Sequence, residues 1–182
     1  MLAQTGKPTL YIFSGLPACG KSTLAQKLAQ YMGASFIRID TIEQGLRDLC
    51  SYPVEGEGYR LAYRIASDNL RLGHSVIADS CNPIELTRRE WEQVAIDAGA
   101  QYFNIDIICS DIDEHQRRVE ERVSEVTGLR LPTWAEVRDR ILDQWTVDRI
   151  IVDTANRSVD DGALELLMKL GLQERPHRLS GR

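Results

Sequence analysis

The hydrophobic and polar positions along the chain predict five short strands that alternate with helices. Each predicted strand is rich in branched and aromatic residues and is bounded by turn or cap residues. The predicted strands span residues 9–14, 35–40, 74–79, 102–109 and 149–154. In the intervening stretches, apolar residues recur at three- and four-residue intervals, which is typical of helices that pack one face on a sheet. These predicted helices span residues 21–32, 61–72, 83–98, 111–127 and 133–144.

The alternation of strands and helices predicts the architecture of the chain. Strands joined through helices need crossover connections, so we predict an α/β domain with a mainly parallel sheet and helices on both faces. This single domain is predicted to cover residues 1–172, and the polar tail at 173–182 is predicted to be disordered. A helix–loop–helix segment at about residues 111–146 is predicted to form a lid.

Composition narrows the class of protein. The 182 residues are 43% hydrophobic and 27% charged, which is the balance of a soluble globular domain. The net charge of −5 argues against nonspecific binding to nucleic acid or to anionic membranes. The longest apolar run has four residues, where a membrane span needs about 20. The four cysteines form no CxxC pair and the N-terminus has no signal pattern, so we expect a cytoplasmic protein without disulfides or a zinc site.

A glycine-rich motif follows the first predicted strand. Residues 15–22 read GLPACGKS, which matches GxxxxGK[ST] between an apolar strand and a helical pattern. The backbone N–H groups of such a loop point at a phosphate chain, and the N-terminus of the following helix adds positive potential. We expect Lys21 to neutralise the β- and γ-phosphates and Ser22 to ligate Mg²⁺. The residues predicted to bind the nucleotide are Gly15, Leu16, Pro17, Ala18, Cys19, Gly20, Lys21, Ser22 and Thr23.

The motif predicts binding of a nucleoside triphosphate, and other residues must specify the reaction. The NKxD box of GTPases and the LSGGQ-like signature of ABC ATPases are absent from the sequence. Motor-like AAA+ ATPases usually place Glu after the Walker B Asp, whereas Ser80 follows Asp79 here. Phosphoryl transfer to a small acceptor is the interpretation that remains. At the helix N-terminus we expect a lowered pKa for the Cys19 thiol, without a catalytic role.

Two acidic residues end predicted strands, at the edge of a parallel sheet where ligands bind. Asp40 suits the base that accepts the proton of an acceptor hydroxyl, and Asp79 suits the residue that holds the metal. Both also have structural interpretations, because Asp40 and Glu43 form a capping-box pattern and Asp79 is a common strand-end residue. Asn82 precedes a proline and is predicted chiefly as the N-cap of the next helix.

Arginines cluster in the predicted lid. On the predicted helix 111–127, Arg118 and Arg122 lie on one flank of an apolar stripe made by Val119, Val123 and Val126. Two arginines four residues apart could clamp the transferred phosphate, and ion pairs with neighbouring acids on the helix surface are the alternative. Arg130 follows a glycine at the tip of the lid and is a further candidate for the same role.

These motifs together resemble the P-loop kinase family of predicted ATP-dependent kinases, sometimes filed as AAA-like ATPases. That group includes the polynucleotide 5′-kinase domain and is more distantly similar to gluconate kinases and zeta-type toxins. The resemblance runs from about residue 9 to residue 155. It rests on four segments, GLPACGKST at 15–23, RID at 38–40, VIADSCNP at 76–83 and GLRLPTW at 128–134.

The resemblance implies a P-loop NTPase fold of three α/β/α layers, with a five-stranded parallel sheet in the order 2-3-1-4-5 and a helical lid. It implies that Asp40 is the general base and that Arg118, Arg122 or Arg130 contact the γ-phosphate from the lid. ATP and Mg²⁺ are the implied cofactors, with Asn156 and Arg157 beside the adenine. Ser22 and Asp79 are the implied metal residues.

The acceptor is harder to predict. Many relatives carry Arg three residues after the base Asp, and this chain has Glu43 there, so an anionic acceptor gripped at that point is not expected. The leading prediction is an ATP/Mg²⁺-dependent kinase for a hydroxyl group of a small molecule. A polynucleotide or nucleotide 5′-hydroxyl kinase comes second, because residues 111–149 carry seven basic and ten acidic residues. A nucleotide-binding regulatory protein, or a slow ATPase, is the third interpretation, and it would need only the loop.

Overall fold

The five predicted strands form one sheet. The computed structural model describes residues 6–172, so the tail predicted to be disordered lies outside the described residues. The strands are β1 (Thr9–Ser14), β2 (Ser35–Arg38), β3 (Val76–Asp79), β4 (Gln101–Ile108) and β5 (Ile150–Asp153). All four pairings are parallel and the order is β2-β3-β1-β4-β5, which confirms the predicted α/β fold and its strand order.

Helices connect the strands and cover the sheet. They are α1 (Lys21–Met32), α2 (Ile39–Cys50), α3 (Glu57–Arg71), α4 (Glu85–Asp97), α5 (Ile112–Glu121), α6 (Trp134–Arg138) and α7 (Val159–Lys169). None of the helices within residues 6–172 has the length and apolar character needed to cross a membrane.

Apolar side chains from the two faces of the sheet pack into two separate clusters. Leu24 and Leu28 of α1 pack with Leu166 of α7 on one face, and Trp91 of α4 packs with Ala62 and Ala66 of α3 on the other. Alternate residues of β1 enter the two clusters, because successive side chains of a strand point to opposite faces. The buried β1 therefore fixes the position of the loop that follows it.

The β2–α2 junction differs from the prediction. The strand ends at Arg38 and the helix begins at Ile39, so Asp40 lies in the first turn of α2 rather than at a strand end or a cap. Arg38 is the N-cap residue, and no side chain caps the helix. The capping-box interpretation of Asp40 and Glu43 is therefore wrong, and the carboxylate of Asp40 is left available for another role.

The arginine helix is shorter than predicted. The helix α5 ends at Glu121, and Val123, placed in the predicted apolar stripe, is 90% exposed. The Ser124 hydroxyl accepts a hydrogen bond from the Val126 backbone N–H and lies 2.9 Å from the Val126 carbonyl oxygen. Such local bonds of a serine compete with the helical hydrogen bonds and favour a turn.

The second lid helix begins as predicted but also ends early. Thr133 and Glu136 form a capping box at the start of α6, and the helix ends at Arg138 rather than near residue 144. The chain then crosses the start of α4, where Oδ2 of Asp143 accepts a hydrogen bond from the backbone N–H of Glu85 at 2.8 Å. Asp143 thereby provides the N-terminal hydrogen bond that the sequence assigned to Asn82.

Asn82 is buried instead of capping a helix. It has a positive φ of 46°, and its amide donates to the carbonyl oxygen of Phe13 and to the Ser14 hydroxyl, at 3.1 Å each. These bonds join the chain after β3 to the end of β1, which carries the glycine-rich loop.

Candidate active site

The glycine-rich loop, here called the P-loop, occupies residues 15–20 between β1 and α1. Gly15 has a φ of 139°, and a Cβ atom there would lie 2.2 Å from the carbonyl oxygen of Ile107. Only glycine fits this approach of the loop to β4. The loop then feeds directly into the N-terminus of α1, which starts at Lys21.

Three hydrogen bonds from other segments hold the P-loop backbone. Nε2 of His115 lies 2.8 Å from the carbonyl oxygen of Pro17, and the Thr154 hydroxyl donates to the carbonyl oxygen of Cys19 at 2.8 Å. The N–H of Gly15 donates to the carbonyl oxygen of Cys81 at 3.2 Å. The loop is thus fixed from α5, from the end of β5 and from the end of β3.

Lys21 and Asp79 form a buried ion pair at the base of the loop. Nζ of Lys21 lies 2.8 Å from Oδ1 of Asp79, and both side chains are almost fully buried. Burial opposes the charge of Lys21, but nearby Asp79 outweighs this effect and raises the pKa of Lys21 above its ordinary value. Lys21 is therefore charged throughout the physiological range.

A magnesium ion that arrives with a nucleotide fits the residues beside this pair. Oδ2 of Asp79 is buried and accepts no hydrogen bond from residues 6–172, and the Ser22 side chain lines the cleft described below. Carboxylate and hydroxyl oxygens are ligands that Mg²⁺ prefers, together with phosphate oxygens and water. In the described part of the chain, no three His, Cys, Asp or Glu side chains are grouped to hold a metal without such help.

A cleft of about 880 Å³ lies over the P-loop. β2 and β3 lie on one side of β1, and β4 and β5 lie on the other. Residues that follow strands on both sides line the cleft, so it is described below as two halves. The P-loop half lies towards β5 and is lined by residues 16–18 and 20–24, Arg118, Thr154, residues 157–159 and Gly162. The lid half lies towards β2 and β3 and is lined by Arg38, Asp40, Cys81, residues 121–126 and 129–132, Glu136 and Arg140.

Asp40 presents a free carboxylate to the lid half. The residue is exposed, and its side chain makes no hydrogen bond or ion pair with any residue that the structure describes. Burial lowers the pKa of the Arg122 guanidinium, and the negative charge of Asp40 opposes this change without cancelling it. A free carboxylate in a cleft can accept a proton from a bound hydroxyl group.

The three predicted lid arginines all line the cleft but have different surroundings. Arg118 donates to the Thr154 side chain at 2.8 Å and pairs with Glu114 at 2.7 Å. Arg122 is half-buried, and its Nε atom is enclosed without a hydrogen-bond partner in residues 6–172. Arg130 is 78% exposed and pairs with Glu136 at 2.7 Å. Arg122 is thus the one of the three whose charge remains unpaired.

One of the two predicted adenine residues lines the P-loop half. Arg157 lines the cleft and forms an ion pair with Glu165 of α7. Asn156 does not line the cleft, because its amide donates to Asp111 at 3.0 Å and its backbone N–H donates to Glu114. Its contacts fasten the loop after β5 to the start of α5.

The expected lowering of the Cys19 pKa is not found. Cys19 is buried beneath the P-loop, and burial raises the pKa of its thiol to about 12. The positive charge of Lys21 opposes this change but is the smaller effect. Loss of hydration around the sulfur outweighs the helix N-terminus that the sequence suggested.

Sequence reasoning missed Arg38. It is the N-cap of α2, and its guanidinium lies 3.4 Å from Oδ2 of Asp79 and 2.8 Å from Oε2 of Glu125. Glu125 also accepts from Gln26 at 2.9 Å, so it ties the lid loop to both β2 and α1. The strand-end motif RID contained the signal, because Arg38 precedes Asp40 by two residues.

Sequence reasoning also missed His115 and Arg140. His115 is buried between the P-loop and the ring of Trp134, at a centroid distance of 5.4 Å between the two rings. Arg140 lies beyond the end of α6 and lines the lid half. No motif marks either residue, and only the path of the lid brings them to the cleft.

Comparisons with known proteins were made by sequence and by structure. A family model for an AAA domain matches residues 10–145. No curated protein matches the sequence.

Solved structures share the fold over almost the whole chain. The Mycobacterium tuberculosis APS kinase CysC in complex with AMPPNP and APS has a TM-score of 0.66 and 20% identity, over 91% of this chain and 98% of that one. A gluconokinase from Sinorhizobium meliloti 1021 has a TM-score of 0.64 and 17% identity, over 91% and 93%. Chaetomium thermophilum Kti12 in complex with ADP-AlF3 has a TM-score of 0.65 and 20% identity, over 89% and 97%.

The family model spans most of the chain and includes the P-loop, both candidate acids and the arginines of the lid. The chain therefore belongs to the AAA-domain family and has the fold of the P-loop kinases.

Proposed function

We propose that this protein is an ATP- and Mg²⁺-dependent kinase that transfers the γ-phosphate to a hydroxyl group of a small molecule. The observation that carries the proposal is the free carboxylate of Asp40 in the same cleft as the P-loop. A protein that only binds a nucleotide needs the loop but has no use for an unpaired acid in front of it.

In this proposal each half of the cleft serves one substrate. The P-loop half takes ATP, with its phosphates at the P-loop and its base towards Arg157 and Ser158. Lys21 leaves Asp79 to pair with the phosphates, and Asp79 and Ser22 are then free to hold the Mg²⁺ that the nucleotide brings. The bound metal neutralises phosphate charge.

The lid half takes the acceptor. Asp40 accepts the hydroxyl proton while the acceptor oxygen forms a bond to the γ-phosphorus, and the bond from that phosphorus to the β,γ-bridging oxygen breaks. The products are ADP, the phosphate ester and one proton. Among the three predicted lid arginines, Arg122 has the unpaired guanidinium, and the charge of Asp40 stabilises it, so Arg122 suits the charge that spreads over the transferred phosphate.

A long polynucleotide is the weaker acceptor candidate. Two of the four arginines in the lid half already pair with acids, Arg38 with Glu125 and Arg130 with Glu136. A phosphate backbone needs an extended row of unpaired cations. The size of the cleft matches the range of small-molecule sites.

The test of the proposal is an Asp40→Asn variant, assayed with γ-labelled ATP, Mg²⁺, pooled small hydroxyl compounds that include both neutral and anionic members, and a 5′-hydroxyl oligonucleotide. We expect transfer to fall about 10²- to 10⁴-fold, because general-base catalysis is lost. The affinity for ATP should stay within a few-fold of the unaltered protein.

The matched control is Asp48→Asn, which removes an exposed carboxylate from the same helix but not from the cleft. This control should transfer phosphate at the normal rate. Unchanged turnover in Asp40→Asn would remove Asp40 as the base. Binding of ATP with label released only to water would favour the slow-ATPase interpretation.

A further inference from the structure

Glu43, the residue whose charge argued against an anionic acceptor, does not face the cleft. Glu43, three residues after Asp40, is absent from the lining of the cleft. Its side chain lies against the backbone of Gly58, where a Cβ atom would be 2.3 Å from its Cγ, and it pairs with Arg47 at 3.1 Å. The Glu43 carboxylate therefore pairs and packs where α2 meets α3, and its charge is not evidence about the acceptor.

The charges that do line the lid half are unbalanced. Four arginines and four acids line it. Arg38 pairs with Glu125 and Arg130 pairs with Glu136, which removes two of each, and Glu121 pairs with Arg117 outside the cleft. The charged side chains that remain unpaired are one acid, Asp40, and two arginines, Arg122 and Arg140. Unpaired cations in a cleft bind anionic groups, and arginine binds carboxylate and phosphate with two parallel hydrogen bonds.

Arg140 is placed to reach an acceptor rather than the nucleotide. Its side chain makes no hydrogen bond or ion pair within residues 6–172, and it lines the half of the cleft towards β2 and β3. Three residues after Arg140, the backbone N–H of Asp143 donates to the carbonyl oxygen of Pro83 at 2.9 Å, so this part of the lid lies beside the chain that follows β3, and Asp40 and Arg140 line the same cleft. Arg140 thus shares with Asp40 the place where a hydroxyl acceptor must lie.

We propose that the phosphate acceptor carries an anionic group, a carboxylate or a phosphate, that Arg140 binds while the reacting hydroxyl lies at Asp40. This inference rests on the proposed kinase function and adds the chemical class of the acceptor. Many relatives carry the acceptor-binding arginine three residues after the base Asp, whereas in this proposal the lid supplies it from 100 residues after Asp40.

The experiment separates a deproteinised bacterial small-molecule extract on an anion-exchange column into an unretained pool and an anionic pool. Each pool is incubated with the protein, Mg²⁺ and γ-labelled ATP, and the labelled products are separated and counted. We expect label on a compound from the anionic pool, at a rate at least tenfold above that from the unretained pool.

Two variants of neighbouring arginines then test the residue. Arg140→Gln should lower kcat/KM for the anionic acceptor about 10- to 100-fold, mainly through KM, because a charge-assisted hydrogen bond is lost. The KM for ATP should not change. Arg138→Gln is the matched control, because Arg138 is exposed, pairs within residues 6–172 only with Asp139 and does not line the cleft.

The outcomes separate the two proposals. Label on a compound from the unretained pool, or full activity of Arg140→Gln on an anionic acceptor, overturns the anionic acceptor and leaves the kinase intact. Absence of label from both pools overturns the kinase and the acceptor class together.

Discussion

The two halves of the cleft are built by different means. The P-loop half depends on buried contacts, with the Lys21–Asp79 pair beneath the loop and hydrogen bonds from His115 and Thr154 to its backbone. The lid half depends more on exposed side chains, since the Arg130–Glu136 pair is 78% and 42% exposed at its two ends, although the Arg38 side chain is only 11% exposed.

This difference separates what the fold requires from what a substrate requires. Altering a residue of the P-loop half disturbs the sheet that carries it, because the contacts are buried. Side chains of the lid half can be exchanged with little effect on the core, because exposed ion pairs contribute little to stability. Under the proposed function, the buried half would therefore carry the phosphate transfer common to P-loop kinases, and the exposed half would select the acceptor.

Thiol reactivity gives the largest expected contrast between buried and exposed positions. At pH 8, iodoacetamide should modify exposed Cys50 about a thousandfold faster than Cys19, because a thiol with a pKa of about 12 is almost entirely protonated there. Since only the thiolate reacts, the rate at Cys19 should rise about tenfold per pH unit from pH 8 to 10. Mass spectrometry of the labelled peptides measures both rates. Equal rates at the two cysteines would mean that the P-loop half is open to solvent.

Substitution of one cation in each half gives the next contrast. Lys21→Met should lower phosphate transfer about 10²- to 10³-fold, because a charge that faces the phosphates is lost. Arg130→Met should lower transfer less than tenfold, because Arg130 is exposed and already paired. Steady-state kinetics with the identified acceptor measure both variants. A loss in Arg130→Met as large as that in Lys21→Met would end the distinction between the halves and make Arg130 a true phosphate clamp.

The smallest effect is expected where the lid meets the P-loop. His115→Phe keeps an aromatic ring beside Trp134 but removes the hydrogen bond to Pro17. We expect the KM for ATP to rise about five- to tenfold with little change in kcat, since one hydrogen bond to the loop backbone is lost. His74→Phe, at an exposed position before β3, is the control and should behave normally. A change in kcat alone would assign His115 to the reaction instead of to the shape of the loop.

Most of the buried half could be predicted from the sequence. The apolar run of β1, the glycines and the start of α1 adjoin one another in the chain, so local rules are enough to place them. The same rules failed at Asn82, where a polar side chain before a proline is buried against β1 and the helix cap comes from Asp143. Asp143 lies far from the start of α4 in the sequence, so the local pattern there does not predict that it caps the helix.

Less of the lid half could be predicted. The valine pattern of the arginine helix continues to residue 126, but α5 ends at Glu121 because local serine bonds replace helical ones. Arg140 carries no motif, and its position depends on how the chain turns after α6. Glu43 illustrates the opposite error, because a residue at the expected spacing points away from the cleft.

The contacts of Asp143 indicate where the chain could be divided into two pieces that stay together. Asp143 binds the start of α4 through both its side chain and its backbone, with Arg88 donating to its carbonyl oxygen, and β5 is joined to β4 along its length. The segments before and after residues 122–133 are therefore held together by contacts that do not pass through that loop. In the terms of split-protein design, the loop is a permissive junction, where new chain ends or an inserted domain leave the sheet intact.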